Sequence, residues 1–228
     1  MHRTSRISTL TTLLFAAGVA VFFIKAAALP YKVAWPVLLL ALSVIRLRQR
    51  QLVPIGAALL LSAAGDAVGA KGLFIPQMLF FALAHGAYMR YFLPRAKDYM
   101  PRAFSVVLIG VLFVFLFGVI VPRAADPVER FGVGIYGLVI AGMLYSVLQY
   151  CGPHAAWFRC AALLFVFSDS VIAWGRFVAP VPGRTYVVMI TYYLAQYLFY
   201  RFAVESAVAR TPGCGKSVTP DASPGRGA

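Results

Sequence analysis

Two aspartates lie in segments of this sequence that are otherwise apolar. Asp66 lies in LVPIGAALLLSAAGDAVGA and Asp169 lies in AALLFVFSDSVIAWG, although the chain has only seven acidic residues. A carboxylate inside a bilayer costs roughly 2.5–3.5 kcal/mol on insertion scales, so such a residue usually faces a protein interior or a water-filled cavity and has a function. The alternative interpretation is a buried hydrogen bond between helices, without chemistry.

Two carboxyl groups in one buried site are suited to acid catalysis. Desolvation and mutual repulsion disfavour a second charge, so one group keeps its proton while the other stays ionised. Such a pair can cleave a bond through an oxocarbenium-like cation, as in glycoside hydrolysis. It would equally suit proton coupling in a transporter. A metal site formed by Asp66, Asp169 and His85 is a third possibility, but a single intramembrane histidine is a weak basis for it. We therefore predict neither a metal nor another cofactor.

The composition indicates a membrane protein. Of 228 residues, 61% are hydrophobic and 12% are charged, and the mean hydropathy is +0.82. Soluble domains contain about 25% charged residues. The formal charge of +14 could suggest a nucleic-acid partner, but the Lys and Arg residues fall in short connections between apolar runs. There they indicate topology and contacts with lipid headgroups, so the expected partner is the bilayer and not a nucleic acid.

Eight apolar runs are long enough to cross a bilayer, which requires about 20 residues per helix. The sequence therefore predicts an all-α, polytopic membrane protein. It would have one eight-helix domain over residues 1–207 and a disordered basic tail over residues 208–228. The second run is short and is expected to extend back through Leu29 and Pro30. The predicted spans lie near residues 7–25, 32–46, 52–70, 74–92, 103–122, 131–150, 157–175 and 185–204.

The distribution of positive charge predicts the orientation of these spans. Fourteen of the 21 Lys and Arg residues lie on the side that holds both termini, and seven lie on the other side. The positive-inside rule therefore places both termini in the cytoplasm, and we expect the membrane to be a bacterial cell membrane. A cleavable signal peptide ending near Ala28 is an alternative interpretation, but Lys25 beside the cleavage site argues against it.

The two segments that contain the aspartates also resemble each other. Aligning Asp66 with Asp169 pairs residues 58–70 with residues 161–173 and matches six of thirteen positions. The segments that follow, 83–91 and 194–202, can be paired as well. This pattern suggests a four-plus-four parallel duplication, which would give the two aspartate helices the same direction and a similar depth. Chance similarity between apolar segments is the alternative.

A few other polar side chains could reach the same site. The two aspartates lie about one turn from the non-cytoplasmic ends of their helices, and His85, about three turns from that side, could form the floor of a shared cavity. Each supporting candidate could also be an ordinary packing residue, and no base at a known spacing supports Ser168 as a nucleophile. The candidates are His85 and Tyr88 in the fourth span, Ser168 in the seventh, and Tyr193 and Gln196 in the eighth.

Taken together, the polar motifs resemble the YhhN-like lysoplasmalogenase family of membrane hydrolases. The resemblance covers roughly residues 30–205, in the order and spacing of the family. It rests on LLLSAAGDAVG, FFALAHGAY, YGLVIAGMLY, AALLFVFSDSVIAW and ITYYLAQYL. It implies eight transmembrane helices and hydrolysis of the vinyl-ether bond of a lysoplasmalogen. The substrates would be lysoplasmenylethanolamine or lysoplasmenylcholine, and the products a fatty aldehyde and glycerophosphoethanolamine or glycerophosphocholine.

The resemblance also implies roles for individual residues. The essential acidic positions of the family fall on Asp66 and Asp169, and His85, Tyr193 and Gln196 match its remaining polar positions. The chemistry agrees, because a vinyl ether is hydrolysed by protonation of its β-carbon, and the oxocarbenium ion that results can be stabilised by a second carboxylate. Which aspartate plays which part stays open.

Two further questions concern substrate binding and the competing functions. Lys71, Arg176 or Arg184 could meet the substrate phosphate, although a snorkelling loop cation is the more ordinary explanation for each. A proton-coupled transporter and a lipid-binding membrane protein are the alternative functions. The position of the acids near one face favours an enzyme, because transporter sites usually lie near the bilayer midplane.

Overall fold

The computed structural model describes residues 2–24, 29, 31–96 and 102–208. This part of the chain is helical, apart from connections and one isolated bridge between Ala96 and Tyr150, so the all-α prediction is confirmed. The alternative cleavage site near Ala28 and, beyond Val208, the expected tail lie outside the described residues. The helices are α1 His2–Phe23, α2 Trp35–Leu47, α3 Val53–Gly69, α4 Phe74–Phe92, α5 Arg102–Phe113, α6 Pro127–Leu148, α7 Ala155–Phe177 and α8 Arg184–Val208.

The second helix is shorter than the sequence suggested. α2 begins at Trp35, so the expected extension back through Leu29 is wrong. Residues 31–34 form a turn instead, in which Tyr31 has a φ of +55°. A residue in the left-handed region cannot continue a right-handed helix. Pro36 follows in the first turn of α2, where the missing N–H of proline leaves no hydrogen bond unmade.

The chain is an integral membrane protein with several membrane-crossing helices. Large apolar side chains such as Leu13, Val106 and Phe131 are exposed, whereas Ser62 and Gln196 are fully buried. This arrangement reverses the pattern of a soluble protein and suits a surround of lipid. Among the described residues, five stretches are long and apolar enough to cross a bilayer, and eight crossings remain a prediction. These stretches are Arg50–Gly69, Ala103–Arg123, Pro127–Leu148, Ala155–Phe177 and Arg184–Ala207.

Two tightly packed helix pairs bring the aspartates together. α3 packs most extensively against α4, and α7 packs most extensively against α8. These are the two pairs that the alignment of Asp66 with Asp169 relates, although the duplication itself remains a prediction. α6 packs against both α4 and α7, and α8 also contacts α2 and α3. The two aspartate helices therefore border one common interior.

A glycine allows the close approach of α3 to α4 beside the first aspartate. A Cβ atom added at Gly65 would lie 3.1 Å from the ring of Phe81 and 3.3 Å from the Cβ of Phe80. Contacts that short require the neighbouring side chains to move. The absence of a side chain at Gly65 thus lets the Phe81 ring pack directly against α3, next to Asp66.

Candidate active site

Asp66 and Asp169 line the same cavity, which we call the acidic cavity. Its volume is about 540 Å³, and it lies among α1, α3, α4, α7 and α8. At one end it reaches Tyr31 and Lys32 before α2, and Ala70 after α3. Small-molecule sites typically have volumes of about 300–1,000 Å³, so a polar ligand fits here beside both acids.

Asp66 is held in an almost closed, largely aromatic environment. It lies in the last full turn of α3, and only 6% of the residue is exposed. The hydroxyl of Tyr192 on α8 donates a hydrogen bond to its Oδ2 at 2.8 Å. The Tyr192 ring packs edge-on against Phe81 and Phe165, with centroid distances of 5.8 and 5.5 Å. One neutral donor and several rings therefore surround this carboxyl group.

Asp169 is more accessible and has more polar partners. Its side chain is 16% exposed. The hydroxyl of Tyr136 on α6 donates to its Oδ2, and Nε2 of His85 lies 3.6 Å from the same oxygen. The same Nε2 lies 3.0 Å from the Tyr136 hydroxyl oxygen. The Tyr136 hydroxyl has one proton, and it donates that proton to Asp169. The hydroxyl oxygen must therefore accept the hydrogen bond from His85, whose Nε2 is the donor. The three residues form a chain of donors that ends at the carboxylate.

Tyr88 and Gln196 make a separate contact beneath this site. The Tyr88 hydroxyl donates to Oε1 of Gln196 at 2.5 Å, and both side chains are fully buried. Neither residue lines the acidic cavity. Tyr88 also stacks on Phe199 at a centroid distance of 4.3 Å. These two sequence candidates therefore join α4 to α8 about one turn from His85, on the side away from the cavity mouth.

Ser168 and Tyr193 lie next to the aspartates but direct their hydroxyls elsewhere. Ser168 lines the acidic cavity, and its Oγ donates to the backbone carbonyl of Val188 at 3.2 Å. The Tyr193 hydroxyl donates to the carbonyl of Val33 at 2.7 Å. Its ring packs edge-on against Phe15 and Phe22 of α1. The structure thus brings Asp66 and Asp169 to one cavity and His85 to Asp169, whereas the Tyr193 hydroxyl ties α8 to the turn before α2.

Two tyrosines that contact the acids were not among the sequence candidates. Tyr136 is the first residue of the motif YGLVIAGMLY, which contributed to the resemblance without a role. Tyr192 precedes Tyr193 in the motif ITYYLAQYL. Adjacent helical residues differ by about 100° around the axis, so only one of the two tyrosines can face Asp66. The motifs that contain these tyrosines could have pointed to them. The sequence does not show, however, in which direction each side chain points.

Lys32, which lies at the acidic cavity, was also not among the sequence candidates. Lys32 lines the acidic cavity, and its Nζ donates to the carbonyl of Ile24 at 2.9 Å. Lys71, by contrast, sits 5.6 Å from the centre of the Tyr31 ring. Arg176 makes an ion pair with Glu129.

The three cations that the sequence offered for the phosphate are thus placed differently from Lys32. The guanidinium of Arg176 also lies 3.9 Å from the centre of the Phe74 ring. The Cδ of Arg184 would lie only 2.7 Å from a Cβ atom added at Gly175, so this side chain runs along the end of α7. None of Lys71, Arg176 and Arg184 lines the acidic cavity.

The geometry gives no support to a metal site. Within the described part of the chain, no three His, Cys, Asp or Glu side chains converge as metal ligands would. Tyr136 connects His85 to Asp169, and Tyr192 binds Asp66 from another helix. The polar partners of the two carboxyl groups are therefore hydroxyl and imidazole donors, an arrangement suited to proton transfer.

Comparisons with known proteins identify relatives of this chain. The model of a family described as the YhhN family matches residues 27–202. The chain is 36% identical over 155 residues to lysoplasmalogenase TMEM86B of Homo sapiens, covering 68% of this chain and 65% of that protein. It is 35% identical over 158 residues to lysoplasmalogenase TMEM86A of Bos taurus, covering 65% and 64%. The chain thus spans just under two thirds of the length of these relatives. No solved structure matches it significantly.

Proposed function

This chain belongs to the YhhN family, and on that premise we propose that it hydrolyses the vinyl-ether bond of a lysoplasmalogen. The products are a fatty aldehyde and glycerophosphoethanolamine or glycerophosphocholine. The observation that carries the proposal is the pair of aspartates, Asp66 and Asp169, on one cavity. The names of the mammalian relatives support the reaction class.

The different surroundings of the two acids support different roles for them. Asp66 is the more enclosed, and its hydrogen-bond donor is one neutral hydroxyl, so it is the better place for a proton. Asp169 receives the donor chain from His85 through Tyr136 and is partly exposed, so it is the better place for a charge. We therefore assign Asp66 as the proton donor and Asp169 as the ionised partner.

The first half of the reaction generates the cation. Asp66 transfers its proton to the β-carbon of the vinyl ether, and the double-bond electrons form the new C–H bond. The positive charge that develops is shared by the α-carbon and the ether oxygen, which makes it an oxocarbenium ion. The Asp169 carboxylate stabilises this charge inside a site of low dielectric constant, where such an interaction is strong.

The second half consumes water and restores both acids. Water adds to the α-carbon while Asp169 accepts one of its protons, which gives a hemiacetal. Asp169 then returns that proton to the ether oxygen as the C–O bond breaks, and Asp66 accepts the proton of the hemiacetal hydroxyl. The products are an aldehyde and an alcohol. Asp66 is again protonated and Asp169 again ionised, so the cycle needs water and no other reagent.

The topology that we propose places this chemistry near one membrane face. The chain crosses the bilayer eight times with both termini in the cytoplasm, so the connections that contain Lys32 and Lys71 lie on the opposite side. The acidic cavity reaches those connections. A single-chain amphiphile in that leaflet can therefore bring its headgroup to the cavity while its chain stays among apolar helices.

The direct test is aldehyde release by purified protein. Lysoplasmenylcholine and lysoplasmenylethanolamine are offered in detergent micelles, and the aldehyde is followed with a coupled dehydrogenase. We expect turnover of both and none of the matched 1-alkyl lysophospholipid, which lacks the double bond to be protonated. Turnover should survive EDTA, because the proposed steps use only side chains and water. Folded wild-type protein that releases no aldehyde from either substrate would refute the proposal.

The same preparation separates the alternative functions. A proton-coupled transporter would acidify or alkalinise the lumen of proteoliposomes when substrate is added, without aldehyde release. A protein that only binds lipid would retain the lysophospholipid unchanged. Either result, together with an inactive wild type, would assign the buried aspartates to coupling or to structure.

A further inference from the structure

A second cavity lies directly behind Asp169, and we call it the apolar cavity. Its volume is about 80 Å³, and side chains from α4, α5, α6 and α7 surround it, with a rim that includes the partly exposed Phe74 and Phe177. Four residues line both this cavity and the acidic cavity. These shared residues are Gln77, Phe81, Asp169 and Ile172.

The two cavities differ sharply in chemical character. Beyond the shared wall, the apolar cavity is formed mainly by hydrocarbon side chains, among them Met78, Leu116 and Val133. The acidic cavity ends at Tyr31 and Lys32. A ligand that spans the wall would therefore place an apolar part on one side of Asp169 and an anionic part on the other.

Lys32 is suited to bind the anionic part. Lys32 lines the acidic cavity, and its ammonium group donates to the carbonyl of Ile24, a neutral acceptor that another acceptor can replace. Arg176 is at the same end of the bundle but is neutralised by Glu129. A phosphate at Lys32 would replace a hydrogen bond in which only the donor is charged by one in which donor and acceptor are both charged, which is stronger.

We infer that Lys32 binds the substrate phosphate and that the apolar cavity takes the first few carbons of the hydrocarbon chain, so that the lysophospholipid lies across Asp169. This inference rests on the proposed function, which supplies the substrate and the reacting bond. In such a lipid the bond next to the glycerol separates the chain from the phosphate. The four residues that line both cavities therefore lie between the bound chain and the bound phosphate.

The proposed contact between Lys32 and the phosphate is tested by measuring binding, not turnover. The probe is a 1-alkyl lysophosphocholine, which the enzyme cannot hydrolyse, titrated onto detergent-solubilised protein. We expect Lys32→Gln to raise its Kd about tenfold or more, since a hydrogen bond to a charged group contributes about 1.5–3 kcal/mol. Lys32→Arg should retain most of the affinity. The 1-alkylglycerol without phosphate should bind wild type and Lys32→Gln equally.

Matched variants make this result decisive. Arg123→Gln removes a cation at the same end of the bundle, where Arg123 donates to the carbonyl of Val119 and does not line the cavity. It should leave Kd unchanged. Unchanged binding in Lys32→Gln, or an equal loss in Lys71→Gln alone, would refute the assignment of Lys32. Inorganic phosphate that competes as well as glycerophosphocholine would show a free-anion site and would also refute it.

The proposed binding of the hydrocarbon chain is tested by variants that narrow the apolar cavity. Val133→Phe fills it from α6, and Ala173→Val does so more mildly from α7 if the first variant folds poorly. We expect the Kd values of an 8-carbon and a 16-carbon 1-alkyl lysophosphocholine to rise alike, about tenfold, while that of glycerophosphocholine, which has no chain, changes little. The exposed control Val111→Phe should change none of these values. No effect on either chain length, or an equal effect on glycerophosphocholine, would refute this part of the inference.

These readouts separate the inference from the proposed function. If the wild type releases no aldehyde, the proposed hydrolase function is refuted, whatever the binding results. If aldehyde is released but KM is unchanged in the Lys32 and Val133 variants, the binding mode is refuted and the hydrolase function stands.

Discussion

The hydroxyl of Tyr136 is the contact through which the two aspartates differ most. It joins the imidazole of His85 to Asp169, whereas the hydrogen bond that Asp66 accepts comes from Tyr192 on α8. In the mechanism that we propose, this chain of donors supports Asp169 as the acid that stabilises the cation. Tyr136 is therefore a positioning residue in the proposed mechanism.

Removal of that oxygen should impair catalysis more than binding. Tyr136→Phe keeps the ring but disconnects His85 from Asp169, and we expect kcat to fall at least about tenfold with KM within about threefold, as expected when an interaction acts mainly in the transition state. Tyr200→Phe is the matched control, because the Tyr200 hydroxyl contacts Ser43, away from the cavity. Steady-state kinetics measure both. A rise in KM alone would assign Tyr136 to substrate binding instead.

The aspartates themselves provide the sharpest residue-level prediction. Asp66→Asn and Asp169→Asn keep the size of the side chain and remove its proton chemistry, so each should lower kcat at least about 100-fold. The double variant should be little worse than the poorer single variant, because residues that act as a unit are not additive. Asp126→Asn is the control, since Asp126 caps α6 at the surface and asparagine caps equally well.

Two outcomes would contradict this assignment. A well-folded, membrane-inserted single variant with nearly full activity would show that the buried acid is structural. Losses that multiply in the double variant would show that the two groups act in separate steps on separate sites.

At the scale of helices, the site depends on how closely α3 and α4 approach. Gly65 sits against the Phe81 ring, and that ring lines both cavities and packs on Tyr192. A side chain at Gly65 would push α4 and its aromatic ring away from α3. Packing of two helices thus controls both the partner of Asp66 and the wall between the cavities.

A bulky residue at Gly65 should therefore destabilise the protein. Gly65→Val is expected to cost about 1–3 kcal/mol by overpacking, seen as a lower Tm in detergent. Gly86→Ala is the matched control on α4, because nothing lies within 4 Å of a Cβ at that position. Alanine there should be neutral or stabilise the helix by about 0.5–1 kcal/mol. Equal Tm values for both variants would mean that the α3–α4 contact is looser than described.

At the scale of the whole molecule, the polarity of a side chain is related to whether it is buried or exposed. Polar side chains such as Ser62, His85 and Gln196 are buried, while apolar side chains cover the exterior, so lipid is the solvent that the outer surface requires. The acidic cavity reaches the set of connections that contains fewer positive charges. The positive-inside rule therefore predicts that substrate enters from the non-cytoplasmic leaflet.

Reporter fusions test this orientation directly. A reporter that is active only in the cytoplasm should be active when fused after residue 228 or within the 93–102 connection, and inactive after Lys71. We expect this pattern because most Lys and Arg residues lie on the side of the termini. A C-terminus found on the opposite side would overturn the eight-crossing topology, or would indicate cleavage of the chain after residue 28.

The amino-acid sequence by itself determined the class of this protein and singled out two buried acids for the proposed site. The all-α class and the multi-pass membrane location are confirmed, because long apolar runs have few ways to bury their backbone polar groups in lipid other than as helices. Family membership is confirmed as well, because the family model matches residues 27–202, a range that contains Asp66 and Asp169. A buried carboxylate is costly enough to stand out in a hydropathy pattern, so these two residues could be selected from the sequence.

Tertiary structure decided which neighbours those acids meet. Tyr192 faces Asp66 and Tyr193 faces the turn before α2, a difference of one residue that depends on how α8 is rotated in the bundle. Lys32 reaches the cavity because the left-handed turn at Tyr31 starts α2 late, which no hydropathy pattern records. Helix rotation and connection geometry result from packing between distant segments, whereas hydropathy and motif order are local properties of the chain.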